Sequence, residues 1–196
     1  MGKNFDFEYV KNLTKEMSKN SAISYSDLPQ YDLFLSQVID YLNDKFPNEK
    51  FTNNIVQNYT KSEVITKPED GKKRGYTKMH LIQLVFLSYM RPILTTEEIK
   101  KVFSLAFNEI NDRNDDILSW EDAYKVFVLI QEKTLDENLM SLIASEEKFE
   151  KIIKQFELEE KDEERIHIFL LVLSLIAQAS VIKKLVQKLV NEYHAE

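Results

Sequence analysis

The chain has 196 residues, 43% of them hydrophobic, a formal charge of −7, three glycines, four prolines and no cysteine. That length holds one large domain or two small ones with a real core, and so few turn residues exclude an all-β protein, which needs many tight turns. The absence of cysteine excludes disulfides and thiolate metal sites.

The opening MGKNFDFEYVK has no apolar signal core, which points to the cytoplasm. Phe5, Phe7, Tyr9, Val10 and Leu13 are spaced for a short amphipathic helix, and the polar Ser18 to Ser26 reads as a linker or arm, so residues 1–27 form an N-terminal arm. From Leu28 the pattern sharpens. Leu33, Phe34, Val38, Ile39, Leu42 and Phe46 predict a helix from Tyr31 to Lys45, ended by Pro47. Thr52 is a good N-cap for a second helix, in which Ile55, Val56 and Tyr59 face inward and Asn54, Gln57, Asn58 and Lys61 face out. Asn and Gln pair a donor with an acceptor, as an adenine edge in the major groove requires, and Lys neutralises phosphate.

After Val64 and Ile65, the segment Thr66 to Gly75 holds Pro68, two of the three glycines and the run Lys72, Lys73, Arg74. It reads as a tight, basic-tipped turn between short strands. Between Lys50 and Lys78, seven Lys or Arg stand against Glu63, Glu69 and Asp70, a basic island in an acidic chain. Tyr76 and Thr77 lead into a largely buried helix through Leu81, Leu84, Phe86 and Leu87, stopped by Pro92. Thr95 and Glu98 form a capping box for the next helix, where Ile99, Val102, Phe103 and Ala106 face the core.

Helix, turn, helix, short apolar exit, basic glycine loop, helix and capped helix follow in that order. The segments QNYTK, KPEDGKKRGYT and LTTEEIK carry a resemblance to the winged-helix DNA-binding domain of MerR-type regulators, over roughly Leu28 to Phe107. From LPQYDLFLSQVIDYL through the wing, the chain also resembles an uncharacterised bacterial YkrK-like family of unknown function with a MerR-like first half. The resemblance to MerR implies a DNA-binding regulator with its recognition helix at Thr52 to Lys61. It implies DNA-contacting side chains at Asn54, Gln57 and Asn58, Tyr59 near the backbone or in the core, and Lys61 at the helix end. Arg74 is the counterpart of the wing arginine, with Lys72 and Lys73 beside it and Tyr76 anchoring the return. The family's recognition-helix arginines are replaced by Asn54 and Gln57, and its helix-exit glycine by Glu63, departures that weaken DNA affinity rather than the fold.

Past Phe107 the resemblance ends. Asp112, Asn114 and Asp116 alternate as in a calcium loop, but Ile117 and Ala123 stand where that loop needs glycine and an acid, so this is a solvated interhelix loop. Ser119 with Asp122 caps a helix carrying Trp120, Ala123, Tyr124, Phe127, Val128 and Ile130, and Leu139, Leu142, Ile143, Phe149, Ile152, Ile153 and Phe156 continue the rhythm. The charged run Glu157 to Arg165 is an exposed turn or the start of the last helix. Ile168 to Ala177 is hydrophobic on every side and calls for burial all round, in a bundle centre or against its own copy. His167, Gln178, Lys183 and Lys184 shorten the apolar run below a membrane span.

His80, His167 and His194 are scattered, and no catalytic, phosphate-loop or dinucleotide motif occurs, so neither an enzyme, a metal site nor a cofactor is expected. His80 reads as a surface residue. The expected architecture is all-α, a MerR-like winged helix-turn-helix with a small β-wing at 28–108 and a C-terminal helical bundle at 117–196 for dimerisation or sensing. The expected partners are double-stranded DNA, a second copy in a homodimer, and an effector that the sequence does not name. The competing reading is a winged module that binds protein and not DNA.

Overall fold

A computed structural model describes residues 7–19, 23–68, 75–133 and 146–194. Among them the protein is all-α, with no strand. The helices are α1 (Phe7–Lys19), α2 (Leu35–Lys45), α3 (Asn53–Lys61), α4 (Lys78–Met90), α5 (Thr96–Phe103), α6 (Trp120–Lys133), α7 (Glu146–Ile153) and α8 (Glu160–His194), with single 3-10 turns at Tyr25–Asp27 and Lys154–Phe156. Leu139, Leu142 and Ile143 lie outside the described residues.

The helix starts follow their caps. Thr52 Oγ1 accepts from Ile55 N–H, Ser119 Oγ from Asp122 N–H, and Thr95 and Glu98 form the full reciprocal box. The first helix of the pair begins later than its periodicity predicts, at Leu35 and not Tyr31. The cause is tertiary: Leu33 spends both backbone groups on an antiparallel bridge to Tyr76, its N–H donating at 2.9 Å and its carbonyl accepting at 3.3 Å. A helix through Leu33 would forfeit both bonds.

α4 is the centre of the molecule. Every residue from His80 to Met90 is buried. Phe86 sits among the rings of Phe103, Trp120, Tyr124 and Phe127, with centroids 5.2 to 6.3 Å away, spacing at which aromatic pairs add to their burial. Phe107 stacks on Trp120 at 3.5 Å and meets Phe169 of α8 edge-on. The buried side chains from Leu28 to Ala177 therefore form one continuous cluster. The first helix packs against α8 and α6: Leu13 of α1 is buried, and Tyr9 donates to the Glu192 carboxylate of α8 at 2.8 Å. Beyond α1, Tyr124 donates to the Ile23 carbonyl, so the chain at Ile23 to Tyr25 is docked against α6.

Two further sequence expectations change. His80 is buried, not superficial: its Nδ1 accepts the Thr77 N–H at the start of α4, and its ring packs edge-on against Tyr76. Ile168 to Ala177 is not enclosed on all sides, because the neighbouring helices cover one side of α8 and leave Ile168 43% exposed. By length and composition alone α8 is long and apolar enough to cross a membrane, although 44% of its most apolar window is buried inside the protein.

Candidate nucleic-acid interface

The turn between α2 and α3 is held from three directions. Asn43 of α2 makes both amide bonds to Phe51, donating to its carbonyl at 3.1 Å and accepting its N–H at 2.7 Å. Arg91, at the end of α4, donates to the Lys50 carbonyl, lies 4.4 Å over the Phe51 ring and pairs with Glu49 at 3.4 Å. With Phe51 buried beneath it, this frame sets the angle at which α3 leaves α2.

α3 itself divides cleanly. Val56 is buried and Ile55 and Tyr59 are half-buried against the core, while Asn54, Gln57, Asn58 and Lys61 are exposed on the opposite face. Its exit is a Schellman motif: Val64 N–H donates to the Tyr59 carbonyl at 2.9 Å and Glu63 N–H to the Thr60 carbonyl at 3.1 Å. That closure requires a left-handed residue at position 63, and Glu63 has φ of 56°. The helix-exit position where the resembling family keeps glycine is thus a real left-handed site, occupied here by a residue with a Cβ at a cost of about 1 kcal/mol.

The same motif explains why Val64 and Ile65 do not start a strand. Both N–H groups point back to the Tyr59 carbonyl, and both side chains are buried. The following Thr66 is clamped by the buried Gln83 of α4, whose Oε1 accepts the Thr66 N–H and whose Nε2 donates to Thr66 Oγ1. Thr66 Oγ1 donates onward to the Ile110 carbonyl, and Asn111 accepts the Lys67 N–H. The interhelix loop after α5 therefore braces the base of the basic loop. The loop is itself closed by short bonds, Asp112 Oδ1 accepting from Asn114 and Asp115 from Glu109 N–H. Burial pushes the Asp116 carboxyl up to about 6, with Asp115 adding repulsion.

The expected DNA-facing residues fall into three groups. Asn54, Gln57, Asn58 and Lys61 share the exposed face of α3, and Tyr59 lies beneath it. Tyr76 anchors the return of the basic loop through the bridge to Leu33, but its ring is buried and adds no outward surface; burial also raises its hydroxyl pKa. Lys72, Lys73 and Arg74 lie outside the described residues, as does the turn expected between two strands. Of the flanking cations, Lys67 is exposed and pairs weakly with Glu63 at 3.7 Å. Lys78 is held against its own chain, over the Tyr25 ring at 3.3 Å and donating to Gln30.

Asn43 and Arg91 carry no local signal of these roles in the sequence. Gln83 carried a signal, since a single amide inside the apolar run LIQLVF must find a buried partner.

A family model described as a domain of unknown function, DUF1836, matches residues 23–127. The matched span begins at the docked Ile23 and runs through the bridge, α2 to α5 and into α6 as far as Phe127. No curated protein and no solved structure matches the chain.

Proposed function

Because the chain belongs to the DUF1836 family, whose description names no activity, we propose a function from the site alone: a DNA-binding transcriptional regulator of MerR-like winged helix-turn-helix design. The observation that carries it is the outward face of α3, where Asn54, Gln57, Asn58 and Lys61 stand exposed on a helix capped at both ends and held at a defined angle. In this reading α3 enters the major groove and the amides read base edges. Lys72, Lys73 and Arg74 grip the backbone. The braced Thr66 and the Leu33 to Tyr76 bridge hold the two ends of the loop that carries them.

A homodimer doubles this arrangement on a roughly palindromic site. Its support is the outer side of α8, where Ile168, Ile182, Val186 and Val190 share one exposed face at about coiled-coil spacing, with Leu175 half-buried among them. Lys183 and Lys184 instead line a cleft against the body, so the apolar face is the one left for a partner.

The test is binding of the protein to genomic fragments at two salt concentrations, about 50 and 200 mM, beside a variant with Lys72, Lys73 and Arg74 changed to Ala. Sequence-selective binding that falls steeply with salt is expected, with the salt slope reduced by about 3 in the variant. Absence of binding at low salt would sink the reading in favour of a protein-docking module. That second reading is favoured by the acidic total and by the single cation on the exposed face of α3.

A further inference from the structure

Away from α3, a cleft of about 610 Å³ lies between the C-terminal half of α8, the end of α4 and the α2–α3 turn, a size typical of small-molecule sites. Phe46, Tyr89 and Pro92 supply an apolar lining, and Phe46 and Tyr89 are buried in edge-to-face contact with centroids 5.2 Å apart. The rim is cationic. Lys45, Lys183, Lys184 and Lys188 line it, against Glu49 and Glu192.

Three of these lysines have a carboxylate. Lys45 lies 3.3 Å from Asp44, Lys188 3.9 Å from Glu192, and Lys183 reaches across the cleft to Glu49 at 2.6 Å. Lys184 is the exception. It is half-buried, has no carboxylate partner among the described residues, and its ammonium lies 5.9 Å from the Tyr89 ring centroid. A weak cation–π contact does not repay the desolvation of an ammonium, and burial accordingly lowers the Lys184 pKa. One uncompensated cation over an apolar floor has the complement of a single negative charge on an apolar body.

We propose that this cleft binds an amphipathic monocarboxylate, its carboxylate held by Lys184 and its apolar body seated on Phe46, Tyr89 and Pro92. The carboxylate also competes with Glu49 for Lys183. Because Glu49 belongs to the turn that orients α3 and is shared with Arg91, ligand binding loosens the tie between α8 and that turn. This regulatory consequence rests on the DNA-binding reading, whereas the site itself does not.

The test is calorimetric titration of the full-length protein, without DNA, with hexanoate and phenylacetate. Hexanamide and inorganic phosphate are the controls. Saturable binding of one or both carboxylates is expected, with neither control binding comparably. Lys184→Met should weaken binding at least about tenfold, equivalent to ~1.4 kcal/mol, and Lys184→Arg should retain it. The Met variant keeps the side-chain volume and removes a desolvated charge, so it should be at least as heat-stable as the parent protein. Three results would each overturn the site: no saturable heat up to about 10 mM carboxylate, phosphate binding as tightly as hexanoate, or equal affinity in the Met and Arg variants. None of them bears on whether α3 binds DNA.

Discussion

α4 and α8 read alike in the sequence, each apolar around most of its circumference, yet the protein treats them differently. α4 is a true central helix, with every residue from His80 to Met90 buried under α2, α6 and α8. α8 is buried along Ile166, Phe169, Leu170, Leu173 and Ala177 but leaves Ile182 60% and Val186 54% exposed on the opposite side. An apolar circumference reports how much surface wants covering, not whether this chain has the elements to cover it. In α4 the demand is met by the helices around it; in α8 a stripe through Ile182 and Val186 stays exposed.

The comparison breaks most sharply at Phe86. Removing the ring at the centre of four aromatic neighbours, by Phe86→Ala, should cost about 3–5 kcal/mol in chemical denaturation. A loss near 1 kcal/mol would mean that α4 is not the central helix described above. Gln83→Leu sharpens the same point from the polar side. It leaves the Thr66 N–H without its acceptor and should cost about 2 kcal/mol, whereas Ser174→Ala in α8 removes only a bond to the Leu170 carbonyl within its own helix and should cost less than about 1 kcal/mol. On the outer face of α8, Ile182→Lys with Val186→Lys should change the stability of the isolated chain by no more than about 0.5 kcal/mol. The same pair should dissociate the proposed homodimer, as read by sedimentation velocity. A variant that unfolds would show that face to be part of the chain's own core; one that sediments unchanged would remove the outer stripe as the dimer contact.

Much of this could be read from local signals. The caps at Thr52, Thr95 and Ser119, the inward set of Ile55, Val56 and Tyr59, and the stop at Pro92 are short-range features, and each is found where the spacing put it. The candidate face of α3 was legible for the same reason, since a 3.6-residue period separates four polar residues from three apolar ones. What supports that face was not legible. Asn43 on the Phe51 backbone, Arg91 on Lys50, and Gln83 on Thr66 are bonds between residues 8, 41 and 17 positions apart. No window along the chain contains their geometry.

His80 and Leu33 show the same limit from the other direction. His80 looks superficial beside Lys78 and Met79, and becomes buried because its ring closes the cap of α4 under Tyr76. Leu33 fits a helical period, and leaves the helix because Tyr76, 43 positions on, offers it two backbone bonds. The chain by itself determined its helical class, the capped starts of α3, α5 and α6, the stop of α4 and the polar face of α3, because those depend on contacts within a turn or two. Only the tertiary structure decided which of two apolar helices is enclosed, which amides brace the loop base and where Lys184 stands with no carboxylate partner among the described residues. Those outcomes depend on how many neighbours each surface meets, and close packing settles that for the whole molecule at once.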